Sequence, residues 1–324
     1  MPLVLALDIG GTKLAAAVVD DAARVLGRGR VPSPTGTDPE ALYESLLACA
    51  ASALRGADVL PGDLAGVGVA CAGPMRWPEG EVSPLNMPAW RGFPLRRRLL
   101  EEFATETVLV HNDAIGLAVG EHWRGAGMGT SNLLGITVST GVGGGLILNG
   151  HLHHGTSGNA GHVGHVVVEL DGPPCACGGR GCLEAIASGP NSVRRALEAG
   201  WRPPAGVTAD GVALAASAAA GDPVAVAGLT RAGRAVGVAI ASCAALLDLE
   251  VAAVVGGFSQ SGPLFWDALR HAFTTHAGMA FAAACRVVPG QLGGDAGLLG
   301  AAAFVLDAER YGWDPAAAGQ PRLA

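Results

Sequence analysis

A chain of 324 residues, half of them apolar, can build two cores of ordinary domain size. Its net charge of −7, with only 15% charged residues, leaves no basic stripe for nucleic acid and no Lys/Arg run for a membrane surface, so small-molecule partners are favoured. The first residues lack the basic segment of a signal peptide, and seven cysteines, an odd number, fit a reducing cytoplasm better than a disulfide framework.

Residues 3–7 and 14–19 are apolar runs flanking Asp8-Ile9-Gly10-Gly11-Thr12-Lys13, which predicts two strands around a glycine turn. Dinucleotide and Walker-type loops need a helix after their glycines, so that reading is excluded here. Successive N–H groups of a hairpin turn still form an anion-binding concavity, which glycine leaves open to phosphate oxygens. Asp8, closing the first strand, is then placed to orient a hydrated Mg²⁺. Taken alone, the segment reads equally well as an ordinary glycine hairpin. Asp38 and Pro39 predict a helix start, and Leu42, Leu46, Cys49 and Ala53 recur at helical spacing until Gly56 ends the run. Residues 67–70 and 107–111 read as strands that open on loops at Gly73 and Asn112-Asp113, and ligand sites in α/β sheets lie beyond such strand ends.

The hairpin device recurs. Residues 133–138 predict a strand, Ser139-Thr140-Gly141-Val142-Gly143-Gly144-Gly145 a glycine turn, and residues 146–148 a returning strand. A third glycine turn, Gly256-Gly257-Phe258, follows the strand 251–255 and offers bare backbone to a purine. Two halves opening on the same device suggest a duplicated α/β domain with a nucleotide in the cleft between its lobes. Helices are expected over 114–123, 190–199, 223–247, 263–277 and 295–310, and the tail from Asp314 is expected to fray. The apolar stretch 235–257 is interrupted by Asp248 and Glu250, which marks a buried helix followed by a strand rather than a membrane span.

Within Gly161-His162-Val163-Gly164-His165 to Glu184, one His and three Cys gather. His165, Cys175, Cys177 and Cys182 read as a closed, structural zinc site, because three thiolates and one imidazole fill a tetrahedral ion without leaving room for a water. The bland alternative is buried cysteines that fill space. Cys49, Cys71, Cys243 and Cys285 lie scattered in apolar segments and read as core.

Asp8-Ile9-Gly10-Gly11-Thr12-Lys13, Asn112-Asp113-Ala114, Thr140-Gly141-Val142-Gly143-Gly144-Gly145, the Gly-His-x-Gly-His segment with its cysteines, Gly256-Gly257 and Asp295-Ala296-Gly297-Leu298-Leu299-Gly300 together resemble the ROK family of sugar kinases and repressors, over residues 3–303. The resemblance implies an α/β, actin-like ATPase (ribonuclease H-like) fold of two lobes with a nucleotide and sugar cleft between them. The expected division is a small lobe over 1–113, completed by a helix at 295–310, and a large lobe over 114–294 carrying the zinc loop 161–184. It also implies ATP with Mg²⁺ as donor, a hexose or N-acetylhexosamine as acceptor, and a homodimer or homotetramer. Carried over, Asp8, Gly10, Gly11, Thr12, Lys13, Thr140, Gly141, Gly143, Gly144, Gly256 and Gly257 would hold the nucleotide. Gly73, Asn112, Asp113, His162, His165 and Glu184 would face the sugar, with Asp113 as the base that takes the proton of the 6-hydroxyl.

Only seven residues precede Asp8, so no helix-turn-helix of the repressor kind is expected ahead of it. One departure bears on the acceptor. Many family members have Glu three residues before the zinc His, whereas this chain has His162. A carboxylate only accepts hydrogen bonds, while a neutral imidazole also donates one. Together with Glu184-Ala185-Ile186-Ala187-Ser188-Gly189, this wording resembles the family's bacterial N-acetylmannosamine kinases, so N-acetylmannosamine is the first expected acceptor and glucose the second.

Overall fold

The apolar run at the N-terminus forms β1 (Leu3–Ile9), which turns through Gly10–Thr12 into β2 (Lys13–Asp20) and then β3 (Val25–Pro32). In the structure, a computed structural model that describes residues 1–36 and 38–313, Asp8 and Lys13 thus belong to strands and only the residues between Ile9 and Lys13 turn. The tail from Asp314 lies outside the described residues. Two parallel strands, β4 (Leu64–Cys71) and β7 (Val108–Asn112), complete a sheet of order β3-β2-β1-β4-β7, and β5 (Met75–Arg76) pairs with β6 (Glu81–Val82) in a small ribbon.

The second sheet repeats that plan. Its order is β10-β9-β8-β11-β12, from β8 (Leu133–Val138), β9 (Val142–Leu148), β10 (His151–Leu152), β11 (Val251–Val255) and β12 (Arg286–Pro289), with β11 parallel to both β8 and β12. Among the described residues the chain divides into two compact units, residues 1–129 with 147–160 and 294–313, and residues 130–146 with 161–293. Residues 114–129 and 147–160 thus cluster with the first unit, whereas the sequence reading sets the boundary after Asp113.

Helix starts follow their caps. Asp38 accepts the Glu40 N–H at 2.9 Å and starts α1 (Pro39–Ala57). Gly56 does not end that helix. Asp58 does, in the left-handed conformation with φ 55°. α2 (Leu95–Glu102) was not legible in the sequence, and α3 (Asp113–Arg124) follows β7 without a loop, contrary to the expected strand-end loop. In the second unit come α4 (Leu183–Ala187), α5 (Gly189–Glu198), α6 (Gly211–Ala219), α7 (Pro223–Leu247), α8 (Pro263–His276) and α9 (Ala280–Ala283). α7 is long and apolar enough to cross a membrane by length and composition, yet its Leu229, Val236 and Ile240 are core residues of the second unit. The helix expected over 295–310 breaks at Asp307 into α10 (Ala296–Leu306) and α11 (Ala308–Tyr311). Cys49, Cys71 and Cys285 are buried and Cys243 half-buried, as core cysteines should be.

Helix packing in the first unit depends on backbone against backbone. A Cβ on Gly300 of α10 would lie 1.7 Å from the Gly116 carbonyl of α3, one on Gly120 of α3 2.2 Å from the Ala296 carbonyl, and one on Gly68 of β4 1.8 Å from the Ala301 carbonyl. No rotamer relieves a clash with backbone. Gly300→Ala is expected to destabilise the protein by about 3 kcal/mol or more. An unchanged urea midpoint would show that α3 and α10 can separate freely.

Candidate functional site

The Gly10–Thr12 turn is closed by the Gly10 N–H to the Lys13 carbonyl (3.1 Å), and the Ser33 hydroxyl donates to the Gly10 carbonyl. Thr12 is exposed at its tip. A Cβ on Gly11 would come within 2.5 Å of the Asn86 Nδ2, so glycine there admits a side chain from the segment 84–90. Arg91 holds that segment by donating to the carbonyls of Pro84, Met87 and Trp90. Asn86 escapes sequence reasoning, because nothing local links it to a turn 75 residues earlier.

Asp8 points towards α10, where a Cβ on Gly297 would lie 3.1 Å from its carboxyl carbon. Lys13 Nζ stands 3.9 Å away. At the same end of that sheet, Cys71 pairs in register with both Ile9 and Asn112, and a Cβ on Gly73 would sit 3.0 Å from the Asn112 Nδ2. Gly73 and Asn112 are therefore neighbours. Asn112 is the N-cap of α3, its Oδ1 accepting the Ala114 N–H at 3.0 Å, and the Asp113 Oδ1 accepts the same N–H at 2.8 Å. Burial pushes the Asp113 carboxyl above the usual range, against the pull of that amide. A base so raised holds a proton more strongly than a solvated aspartate.

In the second unit the turn after β8 is short. The Ser139 N–H bonds the Gly141 carbonyl at 2.9 Å, and β9 begins at Val142, so Gly143 and Gly144 are strand residues rather than turn residues. Gly144 is required by the neighbouring backbone, since its Cβ would lie 2.6 Å from the Gly135 carbonyl. Thr140 is exposed. Glu184, in the first turn of α4, accepts the Val142 N–H at 2.9 Å and so ties the turn to the cysteine loop. Gly256 adopts φ 100° after β11, and Gly257 faces a cavity of about 560 Å³ lined also by Ser139, Thr140, Asp210, Val212 and Phe258. That volume and its apolar wall suit a small organic ligand. α6, which brings Val212 there, was missed, although Asp210 before it is a legible cap whose carboxylate accepts the Ala213 N–H at 2.8 Å.

The four candidate metal ligands do converge. One donor atom each from His165, Cys175, Cys177 and Cys182 lies within 4.8 Å of all the others. His165 Nδ1 is 3.8 Å from Cys175 Sγ, and Cys177 Sγ is 3.7 Å from Cys182 Sγ. A tetrahedron with metal–sulfur bonds of about 2.3 Å has edges of about 3.8 Å, so the donor set fits Zn²⁺ in spacing as well as in softness. Burial and the neighbouring thiols push the Cys182 thiol up to about 12. With Nδ1 turned to the sulfurs, the other nitrogen of His165 is directed away from them. The exposed His162 ring lies nearly parallel to that of His165, with centroids 6.1 Å apart.

Burial raises the Asp8 carboxyl to about 6, Lys13 opposes that shift, and Asp113 adds to it. The folded pKa exceeds the unfolded value, so this group weakens the fold as pH rises from about 4 to about 6, by an amount on the order of 3 kcal/mol at most. Asp8→Asn should therefore melt higher than the wild type at pH 7.5 in EDTA, show a smaller difference at pH 4.5, and lose activity. A variant that melts lower at pH 7.5 would refute the electrostatic account.

The ROK family profile matches residues 4–308. The chain is 36% identical over 317 residues to the glucokinase of Streptomyces coelicolor, covering 93% of this chain and 97% of that one. It is 37% identical over 257 residues to the N-acetylmannosamine kinase of Vibrio cholerae, covering 78% and 83%. The crystal structure of a ROK family glucokinase from Streptomyces griseus in complex with glucose and AMPPNP superposes with a TM-score of 0.76 at 35% identity, covering 93% and 98%. With its sheet order repeated and its motifs in place over nearly the whole length, the chain belongs to the ROK family and is a sugar kinase with the actin-like ATPase fold.

Proposed function

We propose that the protein transfers the γ-phosphoryl group of ATP to the 6-hydroxyl of a hexose or N-acetylhexosamine, with N-acetylmannosamine as its preferred acceptor. The observation that carries the transfer chemistry is Asp113, a half-buried carboxyl of raised proton affinity just beyond a strand end, in a chain of a sugar-kinase family. Asp113 accepts the proton of the attacking hydroxyl, a contribution typically worth about 10² to 10⁴ in rate. The Gly10–Gly11 and Thr140–Gly141 turns offer N–H groups to phosphates, with Lys13 beside the first. The cavity at Gly257 takes the adenine, next to Gly256, while Thr12, Gly143 and Gly144 complete the nucleotide set. Mg²⁺ bound with ATP neutralises charge on the transferring group. Asp8 is the carboxylate that would hold it, and a cation there relieves the cost of burying that group.

Gly73, Asn112, His162, His165 and Glu184 bind the sugar. His165, Cys175, Cys177 and Cys182 would hold Zn²⁺, which would fix the His165 ring and keep its second nitrogen in one direction. The enzyme acts in the cytoplasm, as a homodimer or homotetramer; the thiol cluster favours a reducing compartment.

The acceptor rests on His162, exposed beside His165, whose imidazole can both donate and accept towards an acetamido group. Glucose is the second reading, favoured by the greater length over which the Streptomyces coelicolor glucokinase aligns. ADP release with N-acetylmannosamine, N-acetylglucosamine, glucose and mannose decides between them. The wild type should have its highest kcat/KM for N-acetylmannosamine, and His162→Glu should move preference towards glucose. A wild type that prefers glucose, with no change in His162→Glu, would remove the acceptor assignment, and release with none of the four would remove the kinase reading for these sugars. For the metal, about one zinc per chain is expected in protein purified without chelator. Cys177→Ser should lose it and raise the KM for sugar before it lowers the melting point. Zinc-free wild type would sink this part.

A further inference from the structure

His111 is the penultimate residue of β7 and is 1% exposed. Its Nδ1 accepts the backbone N–H of Asn112 at 2.8 Å. An amide N–H only donates, so Nδ1 carries no proton and the ring keeps its proton on Nε2. Nε2 lies 3.2 Å from Nδ1 of His154, which must then be the acceptor. The hydrogen bonds therefore run one way, from the Asn112 amide into His111 and from His111 into His154.

Aromatic side chains fix both rings. The two imidazoles are nearly parallel, 5.4 Å apart at 12°. Trp77 stacks on His154 at 5.0 Å and 20°, and Trp313 stands edge-on to His111 at 5.1 Å and 81°. Trp77 is in turn seated against the segment that carries His154, where Gly158 has φ 73° and a Cβ would lie 2.5 Å from the indole. The Ala160 N–H bonds the His154 carbonyl at 3.1 Å and closes that segment into a loop.

We propose that His154 is a positioning residue for phosphoryl transfer, acting through the His111 ring to hold Asn112 and Asp113 in place. The inference rests on the reading of Asp113 as the base. His154 reaches neither substrate in this account. It fixes the far nitrogen of His111, and the fixed ring anchors the Asn112 amide. Asn112 in turn caps α3 through the Ala114 N–H that Asp113 also holds. Misplacement of a reacting group by about 1 Å can cost about 10²-fold in rate.

Two variants separate positioning from packing. His154→Phe keeps a ring in the stack and removes the acceptor, whereas His154→Asn loses the ring and returns a carbonyl oxygen near the place of Nδ1. For His154→Phe the expected result is a fall in kcat of about tenfold or more with a sugar KM near wild type and a melting point within a few degrees. Exchange of the Asn112 amide with deuterium should also accelerate. His154→Asn should recover most of the kcat and of the protection while melting lower. If His154→Phe keeps wild-type kcat and Asn112 protection while His154→Asn loses both, the pair is packing alone and the proposal is overturned. Asp113→Asn, assayed alongside, should lose most turnover. Undiminished turnover in that variant would remove the base assignment and with it the catalytic meaning of the pair, while the exchange data would still show whether His154 anchors Asn112.

Discussion

The first unit depends on three backbone surfaces touching without side chains between them. β4, α10 and α3 meet at Gly68, Gly120 and Gly300, where any Cβ would enter a neighbouring carbonyl, and at Gly116, whose Cβ would lie 2.8 Å from that of Ala70. Dispersion contacts at such short separation are numerous, and close packing of this kind tolerates no added methyl group. The consequence reaches the chemistry. α3 begins at Asp113, and α10 passes Asp8 at Gly297, so the approach that closes the core also sets where the two acidic groups stand. α7 and α8 of the second unit use the same device, with Gly233 against the Phe265 carbonyl and Gly237 against the Leu269 carbonyl. Glycine thus serves close approach of backbone in this chain as well as turns.

Charge is placed where burial makes it costly. Asp8 and Asp113 are both raised in proton affinity by desolvation, and each lies at the end of a strand of one sheet. Buried carboxyls of this kind weaken a fold unless a cation or proton joins them, and functional sites accept that cost. The cysteine cluster follows the same pattern in the second unit, because its four donors form little hydrophobic core and are spaced as a metal ion would require. Glu184 links the cluster to the turn after β8, so loop order and turn geometry are set by one carboxylate.

Much of this was legible in the order of residues. Strands 133–138 and 251–255, the helix 223–247, the cap at Asp38, and the grouping of His165 with Cys175, Cys177 and Cys182 follow from apolar periodicity, cap chemistry and ligand spacing, which are local properties of the chain. The family could be recognised because its motifs are short and contiguous. Tertiary structure alone decided the rest, since it depends on what lies across space. Gly143 and Gly144 read as turn residues in one dimension and are strand residues because other backbone crosses them. β3 carries Arg28 and Arg30 two positions apart and α2 carries Arg96, Arg97 and Arg98 in a row, which hides their apolar faces until α1 and β7 cover them. Asn86 reaches Gly11, and His154 reaches His111, across 75 and 43 residues of sequence, distances over which no periodicity carries information. Sequence determined which groups are available for chemistry, because residue type fixes that. Folding decided which groups meet and in which protonation form, because both depend on burial and on the partners that only packing supplies.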